Sequence, residues 1–112
     1  MIVNITRHAP LASRVITARN PWQRMKGLLG SSSLPQGEAL VITHCQSIHM
    51  FFMKFPIDVI FCDRQGRVVG LCANIKPFGL SPIFFKAAYA IELPSGSIAS
   101  SKTGLGDQVE IR

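Results

Sequence analysis

Apolar and polar residues alternate in short runs along most of the chain, a pattern that favours β-strands. These runs are rich in β-branched and aromatic residues, and glycine, proline, asparagine or aspartate separates most of them. The predicted strands lie in "MIVNIT", "SRVITAR", "EALVITH", "PIDVIFCD", "RVVGLCANI", "AAYAIELP" and "GLGDQVEIR". The pattern therefore predicts about seven short strands, the first two separated by a turn at "APL".

One segment has the period of a helix instead. Asn20 can cap a helix, Pro21 suits its first turn, and "PWQRMKGLL" repeats apolar residues on one face until Gly30. We therefore expect one short α-helix near residues 21–29. The later segment "SGSIASSK" can add a single helical turn capped by a serine.

Two connections between strands are well marked. The turn "DRQG" joins "PIDVIFCD" to "RVVGLCANI", which predicts a β-hairpin. The segment "KPFGLSPIF" contains two prolines and a glycine and predicts a long loop that is able to form one wall of a pocket.

Size and composition describe one ordered domain. The chain has 112 residues, of which 47% are hydrophobic and 16% charged. That length is enough for one core and short for two. We expect residues 1–112 to form a single globular domain.

Positive charge is concentrated near the N-terminus, within a net charge of +6. No acidic residue precedes Glu38, whereas five bases do: Arg7, Arg14, Arg19, Arg24 and Lys26. Such a basic face can attract nucleic acid, an anionic membrane or an acidic protein partner. The charges are sparse and only Trp22 among them is aromatic, which argues against nucleic-acid binding and favours an ordinary solvated face.

Compartment is inferred from two patterns. No run approaches the roughly 18 apolar residues of a membrane span, and charges interrupt the N-terminus before a secretory apolar region can form. Cys45, Cys62 and Cys72 are odd in number and lie in apolar segments, as reduced buried thiols do. We therefore expect a cytoplasmic protein.

The stretch "HCQSIHMFFMKFPIDVIFCD" has the composition of a soft-metal site. Cys45, His49 and Met53 are spaced by four, which on a helix brings neighbours within about 6 Å. On an extended chain the same neighbours are roughly 13 Å apart, too far to share an ion. The aromatic residues and Pro56 favour an extended backbone, so we expect core packing here, and neither a metal nor a cofactor.

Two carboxylates, Asp58 and Glu92, lie in strands that are apolar on both faces. A carboxylate in such a place is either a hydrogen-bonded structural anchor or part of a cleft, because a buried unpaired charge costs several kcal/mol. The candidate partners are His49, Lys54 and the loop backbone near Phe78. Turns, a loop edge or a strand edge provide ordinary solvated positions for the remaining acids: Asp63, Asp107, Glu38 and Glu110.

Four motifs in order carry a family resemblance: "RMKGLLG", "HMFFMKFPIDVIFCDRQGRVV", "AYAIELPSG" and "GLGDQV". From about Ala18 to Arg112 the chain resembles the prokaryotic family known as domain of unknown function 192. The resemblance implies a compact, jelly-roll-like β-sandwich with one helix, and no established activity. Relatives often carry an export signal, whereas we expect none in this sequence.

Three functions remain open at this point. The first is a non-catalytic binding or accessory module for a small ligand or protein partner, with its site around His49, Lys54, Asp58 and Glu92. The second is a small hydrolase-like acid/base enzyme that uses Asp58, Glu92 and His49, although no nucleophile motif is present. The third is a protein-interaction module that works through the basic N-terminal face.

Overall fold

The structure, a computed structural model, describes residues 1–18, 34–48 and 55–112. These residues form eight strands and one short helix. The strands are β1 (Ile2–Asn4), β2 (Ala9–Ala12), β3 (Arg14–Ala18), β4 (Glu38–Thr43), β5 (Ile57–Cys62), β6 (Val68–Ile75), β7 (Tyr89–Pro94) and β8 (Val109–Ile111), and the helix is α1 (Ser97–Ser101). The predicted helix near residues 21–29 lies outside the described residues.

The strands form two sheets. The smaller sheet has the order β2-β1-β8 and is antiparallel, and the larger has the order β3-β4-β7-β5-β6. In the larger sheet only β3 and β4 run parallel. The predicted mainly β class is therefore confirmed, while the jelly-roll detail stays a prediction.

Apolar side chains cover both faces of the larger sheet. One cluster lies between the two sheets, where Ile2 and Val109 of the smaller sheet meet residues such as Ile60 of the larger one. A second cluster covers the opposite face and includes Phe61 together with Leu34 from a loop. Every residue of β5, an inner strand between β7 and β6, is consequently buried.

The expected turn at "APL" is wrong, because these residues belong to strand β2. The turn instead occupies residues 5–8. Pro10 pairs with Val3 across the ladder, and β2 is the outer strand of its sheet. A proline lacks the backbone N–H that a central strand needs, but an edge strand tolerates it.

The predicted hairpin is confirmed, since β5 and β6 pair in antiparallel fashion across the turn at residues 63–66. The Asp63 carboxylate accepts hydrogen bonds from the backbone N–H groups of Gln65 and Arg67, both at 2.9 Å. Gly66 has φ of +83°, a left-handed conformation that glycine adopts without strain. Both features are typical of a tight turn between strands.

Candidate functional site

The Asp58 carboxylate is almost completely enclosed, with 1% of the residue exposed. It accepts three backbone hydrogen bonds, from the N–H groups of Asn74 at 2.8 Å, Gly96 at 3.2 Å and Ile98 at 2.8 Å. A buried carboxylate is stabilised when several N–H donors satisfy its oxygens. Asp58 thus has its hydrogen bonds inside the fold and is closed to solvent.

Those three bonds join β5 to two irregular pieces of backbone. Asn74 has φ of +54° beside a register shift between β5 and β6. The N-cap residue of α1 is Gly96, which has no side chain to cap the helix, so the serine cap expected from the sequence is wrong. The oxygen of Asp58 takes that role from a neighbouring strand, since it binds N–H groups that the first turn of a helix leaves unsatisfied.

Glu92 lies on the other face of the same sheet. It pairs directly with Val59 on β5, and directly opposed residues share a face. Asp58 precedes Val59 along the strand and therefore faces the opposite way. Glu92 is fully buried, on the same face as Ala90 and Leu40.

Of the predicted four-residue site, the structure describes Asp58 and Glu92, which lie on opposite faces of the larger sheet. Asp58 and Glu92 do not share a cleft, and His49 and Lys54 lie outside the described residues. Acid/base chemistry with two carboxylates needs both of them on one reacting group. The geometry of Asp58 and Glu92 does not provide that arrangement.

Asp107 is a buried acid that the sequence placed in a solvated turn, and that interpretation is wrong. The residue is only 4% exposed. Its Oδ2 accepts hydrogen bonds from the Gly104 N–H at 2.9 Å, Asn4 Nδ2 at 3.1 Å and Arg7 Nε at 2.9 Å. The Gly104 N–H, aided by Asn4 and Arg7, lowers the pKa of Asp107 from its usual value, although burial opposes them.

One feature of the sequence could have indicated this cluster. Asn4 falls two residues after Ile2 on the same strand, so both side chains point into the core. A buried amide needs partners, and its Nδ2 also donates to Thr103 Oγ1 at 2.9 Å. The cluster ties β1 to the segment that leads into β8.

The basic N-terminal face is partly neutralised by acids from elsewhere in the chain. Arg7 contacts Asp107 at 2.9 Å, and Arg14 contacts Glu38 at 3.3 Å. The remaining three bases lie outside the described residues: Arg19, Arg24 and Lys26. Arg7 and Arg14, the two of these five bases that the structure describes, are both held in ion pairs.

The surroundings of two cysteine thiols, Cys62 and Cys72, oppose their ionisation. Burial raises the pKa of Cys62 to about 12, although its hydrogen bond with Tyr89 acts in the other direction. Burial also raises the pKa of the half-buried Cys72. Since the thiolate is the reactive form, neither group has the character of a nucleophile at neutral pH.

An open groove lies where β4 and β5 end and β7 begins. We call it the sheet-end groove, and it encloses about 1110 Å³. Residues 85–88, immediately after the predicted loop "KPFGLSPIF", form one wall. The lining residues are Ile42, Thr43, His44, Cys45, Gln46, Ser47, Asp63, Arg64, Gln65, Phe85, Lys86, Ala87, Ala88 and Tyr89.

The sheet-end groove contains exposed positive charge. Arg64 and Lys86 are exposed, and within the described residues neither has a carboxylate at ion-pair distance. His44, also exposed, has φ of +54°, an uncommon conformation for a residue with a side chain. Asp63 also lines the groove, and its Oδ1 accepts hydrogen bonds from the two turn N–H groups. Sequence reasoning missed this surface because three separate chain segments build it.

Two further observations concern the described ranges alone. Residues 1–18, 34–48 and 55–112 contain no group of three or more histidine, cysteine, aspartate or glutamate side chains placed to hold a metal ion. His49 and Met53, for which the sequence predicts core packing, lie outside those ranges. No helix in the same ranges is long and apolar enough to cross a membrane.

Comparison with known proteins gives the family. A model of the DUF192 family, described as "Uncharacterized ACR", matches residues 2–111, and the chain belongs to that family. A UPF0127 protein of Thermococcus sibiricus is 31% identical over 98% of this chain and 73% of its own length. A UPF0127 protein of Thermococcus kodakarensis is 33% identical over 97% of this chain and 71% of its own length.

Two solved structures share the fold. A Novosphingobium aromaticivorans protein of unknown function has a TM-score of 0.74 at 24% identity, covering 87% of this chain and 74% of its own. A Sinorhizobium meliloti protein, described as a candidate transcription regulator, has a TM-score of 0.67 at 22% identity, covering 86% of this chain and 79% of its own. At these identities the likeness concerns the fold alone.

Proposed function

We propose that this member of the DUF192 family is a non-catalytic binding module whose ligand occupies the sheet-end groove and carries negative charge. The observation that carries the proposal is the pair Arg64 and Lys86, exposed in one groove without a carboxylate partner in the described part of the chain. Cations that a fold leaves unpaired in a concave surface favour anionic ligands.

The shape of the groove supports binding over enclosed chemistry. Its volume of about 1110 Å³ exceeds the roughly 300–1,000 Å³ that is usual for ligand sites, and it is open to solvent. Catalysis by proton transfer works best where water is excluded and a tuned acid or base faces the substrate. An open groove with two exposed cations suits reversible contact with carboxylate or phosphate groups.

Five of the described non-glycine residues have positive φ, and His44 is the one among them that lines the sheet-end groove. A non-glycine residue at φ of +54° stores conformational strain, which often marks functional positions. His44 lines the groove, so its ring is available to a ligand. Replacing it with glycine relieves the strain, and a loss of binding with unchanged or higher stability is then expected.

We assign Asp58 a structural role. All three of its described contacts are backbone N–H groups, and the residue is enclosed. Asp58 adjoins α1, which follows the end of β7, whereas the sheet-end groove adjoins Tyr89 at the start of β7. Neither the exposure of Asp58 nor its position supports the acid/base alternative.

A citrate titration measured by calorimetry tests the proposal, because citrate carries three carboxylates and little apolar surface. We expect saturable binding that weakens at least about tenfold in Arg64→Gln/Lys86→Gln, since each charge-assisted contact contributes roughly 1.5–3 kcal/mol. Lys102→Gln is the matched control, because Lys102 is also exposed but follows α1, beyond the opposite end of β7.

The control variant should bind citrate as the unmodified protein does. Absence of saturable binding, or equal weakening by Lys102→Gln, would contradict the proposal. Weakening by Arg14→Gln with no effect of Arg64→Gln/Lys86→Gln would instead favour the basic N-terminal face.

A further inference from the structure

The loop between β6 and β7 exposes an unusual amount of apolar surface. Phe78, Leu80, Ile83 and Phe85 are between 57 and 78% exposed. Single exposed apolar residues are ordinary on protein surfaces, but a group of large ones in a short segment commonly marks an interaction site. We call residues 76–86 the apolar loop.

The backbone of the apolar loop is anchored to the body of the protein. The Ser81 N–H donates to the Ile48 carbonyl at 2.9 Å, and the Phe84 N–H donates to the Gln46 carbonyl at 2.8 Å. Phe84 turns inward, with its ring centroid 4.6 Å from that of Phe61. The exposed neighbours of Phe84 are therefore presented on a fixed frame.

Along the chain, the charged residues in and near the apolar loop have one sign. No acidic residue occurs from Arg64 to Ile91, whereas four bases do: Arg64, Arg67, Lys76 and Lys86. Lys76 and Lys86 begin and end the loop, are exposed, and have no ion-pair partner among the described residues. We propose that the apolar loop docks the protein onto an anionic lipid surface.

The side-chain chemistry fits a bilayer interface. Phenylalanine, leucine and isoleucine partition into the boundary between headgroups and acyl chains, while lysines remain with anionic headgroups. A stable interface with a protein or a second copy of this chain buries roughly 20–30 residues on each side. Eleven loop residues are too few for that, whereas a lipid surface requires no matching partner surface.

Sedimentation of the full chain with vesicles tests the inference. We expect binding to vesicles of phosphatidylcholine mixed with phosphatidylglycerol, little binding to phosphatidylcholine alone, and release as salt rises. Phe78→Ser/Leu80→Ser should lower the binding constant at least about tenfold, because each substitution removes apolar area that the bilayer would bury. Lys76→Gln should weaken binding to the anionic vesicles alone.

Leu105→Ser is the matched control, since Leu105 is 69% exposed but lies outside the apolar loop. It should leave vesicle binding unchanged. Equal binding by the Phe78→Ser/Leu80→Ser variant, or equal binding to neutral and anionic vesicles, overturns the inference. A further result also overturns the inference: the protein self-associates in ultracentrifugation, the Phe78→Ser/Leu80→Ser variant does not, and neither protein binds vesicles. That result identifies a second copy of the chain as the partner.

The inference can be separated from the proposed groove function. Phe78 and Leu80 do not line the sheet-end groove. Phe78→Ser/Leu80→Ser should therefore bind citrate normally while it loses vesicle binding. Loss of citrate binding in Arg64→Gln/Lys86→Gln tests the groove with no lipid present.

Discussion

Replacing Asp58 by asparagine tests whether this carboxylate holds the irregular backbone together. The amide has nearly the same shape, but only one of its two terminal atoms can accept a hydrogen bond. In the native fold Oδ1 accepts from Asn74 and Oδ2 accepts from Gly96 and Ile98. Either orientation of the amide therefore sets its NH₂ group against at least one backbone N–H donor.

The magnitude follows from the number of bonds affected. In the better orientation the oxygen keeps Gly96 and Ile98, and the bond from Asn74 is lost. A hydrogen bond to a charged group contributes about 1.5–3 kcal/mol, against about 0.5–1.5 kcal/mol for a neutral one. The substitution removes one hydrogen bond and weakens the two others, but it also avoids burying a charge. We therefore expect a destabilisation of about 2–4 kcal/mol.

Urea denaturation followed by circular dichroism measures this change. We expect a lower midpoint with an unchanged slope, because the substitution removes interactions without altering the surface exposed on unfolding. Asp63→Asn is the matched control. Its Oδ1 alone accepts both turn N–H groups at 2.9 Å, so an amide oxygen can keep both bonds, and the expected change is within about 0.5 kcal/mol. An Asp58→Asn protein as stable as the original, or more stable, would refute the anchor role.

Three further predictions concern other buried groups. The pKa of Asp107 is lowered in the fold, so the carboxylate contributes stability above the unfolded value of 3.8, and this contribution is lost as pH falls through the lower folded value. Urea melts below about pH 4 should show the loss of stability. The Asp107→Asn variant should lose less stability over the same pH range. Burial raises the pKa of Cys62 to about 12, so iodoacetamide at pH 8 should label it in urea and not in the native protein, and rapid native labelling would contradict this. A Cβ at Gly70 would lie 2.5 Å from the Phe84 ring, so Gly70→Ala should cost about 1–3 kcal/mol by overpacking, and an unchanged urea midpoint would contradict that contact.

The sequence predicted most of the larger sheet because local patterns determine it. The hairpin of β5 and β6 has alternating or continuous apolar runs on either side of a marked turn. Strand β2 was missed because "APLA" contains a proline, and its strand identity depends on pairing at the edge with β1. That pairing is a tertiary effect, which overrides a weak local preference.

The carboxylates show the same limit. The apolar context of Asp58 correctly indicated burial, but its partners are backbone N–H groups 16 to 40 residues away, and no side-chain pattern records them. Asp107 was misjudged because its turn context is local, whereas Asn4 reaches it across 103 residues. Likewise, the sheet-end groove arises from three separate chain segments that only the folded sheet brings together.

Amide chemical-shift mapping by NMR during a citrate titration tests the binding-module proposal most directly. The account predicts saturable shifts concentrated at residues 42–47, 63–65 and 85–89, the segments that line the sheet-end groove. Residues around Asp58, including Gly96 and Ile98, should not move. Saturable shifts centred on Asp58, on residues 7–14, or nowhere in the chain would contradict it.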